Sequence, residues 1–119
     1  MNGPTAIYPP ADAMLEAVAD YLRGSSGEVR STYLDRIAGH IVDMTRRELA
    51  HGEAAGEAER QALAVLLGKD GSLAGLNREF AATLRSGGLR GREAEVLAMQ
   101  RAAVRAALEI CNPRWLDRR

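Results

Sequence analysis

The chain has 119 residues, enough for one domain and too few for a second independent core. Hydrophobic residues make up 46% and charged residues 27%, the balance of a soluble globular protein. The 16 Lys and Arg are offset by 16 Asp and Glu, and this neutrality argues against nonspecific binding to nucleic acid or to an anionic membrane.

The neutrality hides a polarity. Residues 1–83 carry 8 Lys/Arg against 12 Asp/Glu, whereas residues 84–119 carry 8 against 4. Aromatic residues are only 4% and alanine is abundant, so closely packed helices around a thin core are expected. A single cysteine, Cys111, excludes an internal disulfide and a Cys-rich metal site. Met1 to Pro10 lacks the basic and apolar regions of a signal peptide, and no run approaches the roughly 18 apolar residues of a membrane span. The cytoplasm is the expected compartment.

Residues 1–10 hold three of the four prolines and read as an extended lead-in to a helical domain over 11–116. Helix one is expected from Ala11 to Arg23, with Met14, Ala17, Val18, Tyr21 and Leu22 on one face and Asp12, Glu16, Asp20 and Arg23 on the other. Gly24 to Gly27 ends it. A second, longer helix is expected from Glu28 to His51, closed by Gly52. Its apolar half holds Tyr33, Leu34, Ile37, Ala38, Ile41, Val42, Met44, Thr45 and Leu49. Glu53 to Gly56 reads as a loose connection or a frayed first turn, and helix three as Glu57 to Leu67, with Ala62, Leu63, Leu66 and Leu67 inward. Gly68 to Gly71 is a turn by composition, and Ser72 is a good N-cap for helix four, Leu73 to Ser86. That helix turns Leu73, Leu76, Phe80 and Leu84 inward. The last helix spans Gly91 to Cys111, with Val96, Ala103, Val104, Ala107, Leu108 and Cys111 inward, and stops where Pro113 forbids continuation. No strand is expected, because β-branched and aromatic residues nowhere alternate over four positions. The fold class is therefore all-α, a single-domain bundle of about five helices with the long second and last helices as its central antiparallel pair.

The familiar catalytic signatures are missing: no GxxxxGK[ST] loop, no GxGxxG after a strand, no HExxH and no CxxC. Gly68-Lys69-Asp70-Gly71 shares only glycine and lysine with a phosphate loop. His40 and His51 are eleven positions apart, about 16 Å along a helix, too far to share a metal ion. His40 has the spacing for a solvated i,i+3 pair with Asp43, and His51 suits the C-terminal end of its helix. No metal and no cofactor are expected.

Polar residues at apolar positions are more informative. Glu48, Asn77 and Gln100 fall on the inward faces of three helices, and Asn112-Pro113-Arg114 follows the last one. A buried carboxylate is costly unless paired, so Glu48 calls for a partner, and Arg114 or Arg78 is the natural candidate. Glu48, Asn77, Gln100, Asn112 and Arg114 are thus a candidate polar pocket or a structural network that specifies the bundle, and the structural reading is preferred. A basic strip of Arg85, Arg90, Arg92, Arg101 and Arg105 is the only feature that speaks for nucleic acid.

Taken together, PADAMLEAVADYL, RIAGHIVDMTRREL, ERQALAVLLGKDGSLAGLNREFAATLRSG and the closing NPRWL resemble a family of small bacterial helical proteins of unknown function. The resemblance covers about residues 9–116. Its most specific parts are LLGxDGxLxxLN, matched by Leu66 to Asn77, and NPR followed by an aromatic, matched by Asn112 to Trp115. The chain departs from the family pattern at His40, where asparagine is usual, and at Cys111, where an acidic residue often precedes NPR. The resemblance implies a neighbourhood, since members are encoded beside aminoglycoside-phosphotransferase-like kinases and acyl-CoA dehydrogenases. The expected function is a non-enzymatic accessory protein for such an enzyme, with self-association as a dimer. The alternative is a small-molecule-binding protein or enzyme with its site among the five polar residues.

Overall fold

The structure is a computed structural model and describes residues 8–117. Four α-helices follow one another: α1 (Ala11–Arg23), α2 (Thr32–Leu67), α3 (Leu73–Ser86) and α4 (Glu93–Cys111). A short 3-10 helix, Pro113–Asp117, closes the described chain, and no strand occurs among the described residues. The protein is all-α with four helices rather than five.

The difference lies in one place. The expected second helix, its connection and the third helix are a single helix, α2, of 36 residues. Gly52 and Gly56 do not break it; both are buried within it. Glycine costs a helix interior roughly 1 kcal/mol relative to alanine, which is small beside the packing of a long helix on its neighbours. The start also shifts, from Glu28 to Thr32, because Ser31 is the residue that caps: its Oγ accepts the Leu34 N–H at 3.1 Å.

α2 is the spine of the molecule. At 1.5 Å per residue its length is about 54 Å, and the long dimension of the protein is 54 Å. The other three helices each pack on α2 and not on one another. α1 folds back along its N-terminal part, α3 turns back at its C-terminal end, and α4 runs antiparallel along the stretch between. Two arginines fix that last pairing: Arg47 Nε donates to the Ile110 carbonyl at 2.6 Å, and Arg92 Nη1 to the Leu66 carbonyl at 2.8 Å. The last helix does run antiparallel to a long one, but along residues 47–66, mostly the stretch expected as a connection and a third helix, and it meets the expected second helix, Glu28 to His51, only at that helix's end.

The apolar core is at one end. Leu63 and Leu66 of α2 pack with Leu73, Leu76 and Phe80 of α3 and with Leu89, a loop residue of the α3–α4 connection. Val96 and Met99 of α4 cover this cluster. Each such side chain contributes about 1.5–3 kcal/mol relative to exposure. The turn between α2 and α3 is closed as its composition predicts. Gly68 adopts the left-handed conformation at φ +68°, and Ser72 Oγ accepts the Gly75 N–H at 3.1 Å.

Away from the core the fold is thin. From Tyr8 to Met44 the only buried residues are Val18 and Tyr21. Several residues expected inward are accordingly open: Tyr33 and Leu49 are each 71% exposed, and Leu22, Leu84 and Val104 stand about half in solvent. The lead-in over residues 1–7 lies outside the described residues.

Candidate functional site

The five inward-facing polar residues do not gather. Glu48 is half-buried on α2 and its Oε2 is buried with no hydrogen-bond partner among the described residues. Both candidate partners, Arg78 and Arg114, are exposed, and no ion pair joins either to Glu48. The arginine beside Glu48 in the chain, Arg47, bonds to the α4 carbonyl instead. Asn77 is half-buried on α3 with its Nδ2 buried and unbonded. Its neighbours in that helix pack on Leu63 and Leu66, some fifteen residues along α2 from Glu48, or about 22 Å. Gln100 is exposed, because among the described α-helices only α2 packs on α4 and just one stripe of it is covered. Asn112 is half-buried at the α4 C-terminus, where its N–H bonds to the Leu108 carbonyl and its own carbonyl accepts the Trp115 N–H.

The motif residues Leu66 to Asn77 have a structural account. Leu66, Leu73 and Leu76 are buried. Asp70 accepts the Gly71 N–H at 2.8 Å and Arg60 Nη1 at 2.6 Å, while Lys69 Nζ pairs with Glu79 at 2.8 Å. Arg60 is further held by both carboxylate oxygens of Glu57, which raise its pKa and lower that of Glu57. The lysine and aspartate that gave a faint likeness to a phosphate loop are thus both engaged in closing a helical hairpin. His40 is exposed, and Asp43 pairs with Arg46 rather than with it. His51 is exposed in the interior of α2, not at a helix end. Cys111 is half-buried. Among the described residues no three His, Cys, Asp or Glu side chains converge to hold a metal ion, and no helix is long and apolar enough to cross a membrane.

Another surface is better formed. α3 and α4 splay from α2 and leave between them a hollow of about 530 Å³. Leu84, Leu89, Val96 and Leu97 give it an apolar floor, with Arg85, Arg90, Glu93 and Gln100 around the rim. Gly87 starts the connection with φ +79° and Gly91 ends it with φ +83°, conformations that side chains rarely adopt, and so the loop turns tightly enough to fold Leu89 inward. Glu93 is bound to this loop: its carboxylate accepts the Gly91 N–H at 3.0 Å, and that bond holds it below the usual carboxylate range. Arg92 is likewise engaged, by Glu95 at 2.7 Å and by the Leu66 carbonyl. Arg85 and Arg90 have no carboxylate partner among the described residues. The basic strip in the sequence thus resolves into a structural arginine, Arg92, a pair at 3.7 Å between Arg105 and Glu109, Arg101 exposed on α4, and two free cations on the rim of an apolar hollow. Sequence periodicity could not find this hollow, since it depends on Leu89, which lies in a loop.

No curated protein and no solved structure matches the chain. Residues 26–115, covering all of α2, α3 and α4, match a family, and the chain belongs to it: the family described as Domain of unknown function (DUF6285).

Proposed function

We propose that the protein is a non-catalytic accessory subunit that docks on a kinase-like or acyl-CoA-metabolising enzyme through the hollow between α3 and α4. One observation carries the reading: the apolar floor of Leu84, Leu89, Val96 and Leu97 lies beside two cations, Arg85 and Arg90, that no described carboxylate neutralises. Such a surface suits an amphipathic helix of the partner with aliphatic residues on one stripe and carboxylates beside it. The neighbourhood implied by the family resemblance supplies the class of enzyme. Co-expression with the kinase-like and dehydrogenase neighbours, followed by sizing of the purified product, tests it. A one-to-one complex that Arg85→Glu with Arg90→Glu disperses supports the reading; separate elution of both proteins overturns it.

The second reading, a ligand site between helices, is favoured by Glu48, whose buried Oε2 has no hydrogen bond among the described residues. A ligand cation or hydroxyl meeting it would raise the melting temperature of the native protein and leave that of Glu48→Gln unchanged.

A further inference from the structure

α1 and the first part of α2 form an arm with no other support. α1 packs only on α2, α4 ends level with Arg47, and the closing 3-10 helix packs on α4 alone. The arm is pinned at its turn: Tyr21 donates its hydroxyl to Asp35 at 2.8 Å and accepts the Ser31 N–H at 3.1 Å, and Arg30 bonds to the same carboxylate at 3.1 Å. Two helices alone can bury one stripe each, yet the apolar arc of each is wider than that. Among the apolar residues left uncovered, Val29 lies before α2 and Tyr33 and Ile37 lie on its opposite flank, while four others are ordered. Leu15 and Leu22 are exposed on α1, and Val42 and Leu49 on α2, each pair two helical turns apart. At about 100° per residue, both pairs lie some 80° from the line of contact, on flanks that face the same way in an antiparallel pair. They make one aliphatic ridge along the arm.

We propose that a second copy of this chain covers this ridge, the two arms pairing across a two-fold axis into a four-helix bundle. Three observations choose that occupant. The protein exposes 8308 Å² at 12.8 kDa, where a monomer of that mass is expected to expose about 6,300 Å². That surplus exceeds the roughly 800 Å² that each partner contributes to a standard stable interface. The radius of gyration, 17.5 Å, is likewise well above the roughly 13.5 Å of a compact chain of this length. Finally, the ridge has the seven-residue spacing of a bundle seam and is aliphatic throughout, so it is complementary to itself, as a two-fold contact requires. Two charged residues of α2 beside it are already paired, Asp35 with Arg30, which precedes the helix, and Arg46 with Asp43.

The test is the mass of the purified full chain by light scattering at tens of micromolar, without any other protein. The expected result is twice 12.8 kDa, with Leu22→Glu and Val42→Glu each returning it to the monomer while Val65→Glu, at an 81% exposed position on the far part of α2, stays dimeric. A second measurement does not depend on the charged variants folding. In a Cys111→Ser background, Val42→Cys, near the middle of the ridge where the axis passes, should give a covalent dimer on oxidation and Val65→Cys should not. A chain that remains at 12.8 kDa at every concentration, or a dimer indifferent to Val42→Glu, overturns the proposal. Either result leaves the accessory reading to the co-expression experiment, which probes a different face.

Discussion

Arg47, in the middle of α2, caps Ile110, 63 positions later at the end of α4. The last carbonyls of a helix have no partners within it, and a guanidinium N–H at 2.6 Å satisfies one of them while opposing the negative end of the helix dipole. Arg92, just before α4, does the same for Leu66 at the end of α2. The two antiparallel helices thus secure each other's C-terminal ends. Arg47→Ala is expected to cost about 1–2 kcal/mol in urea unfolding, the range for a charge-assisted hydrogen bond. Arg46→Ala, which loses only an exposed pair with Asp43, should cost under about 0.5 kcal/mol. Equal effects would remove the capping argument.

Gly52 and Gly56 lie level with the alanine-rich middle of α4, between the two arginine anchors, and both are buried. Large side chains there should force α4 away, so Gly52→Leu is expected to destabilise by about 1–3 kcal/mol. Gly39 sits on an exposed arc of the same helix with nothing within 4 Å of an added Cβ. Gly39→Ala should therefore stabilise by about 0.5–1 kcal/mol through helix propensity alone. Thermal unfolding followed by circular dichroism reads both signs.

Tyr21→Phe removes the hydroxyl that joins Asp35 to the Ser31 N–H at the turn of the arm. A loss of about 1 kcal/mol is expected. Amide exchange should quicken in α1 and at the start of α2 while the Leu63–Phe80 cluster is unaffected. Uniform loss of protection across the chain would show that the arm is not a separate unit.

Acid should weaken the fold through its exposed pairs. Asp35 is held below its ordinary pKa by the Tyr21 hydroxyl and then Arg30, Glu57 and Glu95 by Arg60 and Arg92, and Glu93 by the Gly91 N–H. Each binds protons more weakly folded than unfolded. Their contribution is therefore fully present above the unfolded values near pH 4 and is lost as pH falls through the lower folded ones. The melting temperature should be flat from pH 7 to about pH 5 and decline below about pH 4. High salt should flatten that decline. A decline that begins near pH 6 would point to other groups.

Much of the fold was legible in the sequence, because the signals that set it are local. The periodicity of Met14, Val18 and Tyr21 and the glycine at position 24 place α1 between the residues where it is found. Gly68 and Ser72 place the turn before α3, and Pro113 places the end of α4. Of the candidate site, the inward bearing of Glu48 and Asn77 was legible, since it follows from angle alone. Gln100 was misplaced because the width of the covered stripe on α4 depends on how many helices reach it. Gly52 and Gly56 look like a break, since glycine is a poor helix former wherever nothing packs against it. In the folded chain both are buried in a helix that packs along α4, and that packing outweighs the propensity of two positions. The amino-acid sequence by itself determined that the chain is built of helical segments, the bounds of α1 and α3, and the end of α4. Only the tertiary structure decided that two of them are one, which arginines close the α2–α4 pair, and which apolar faces remain open, because each depends on a neighbour distant in the chain.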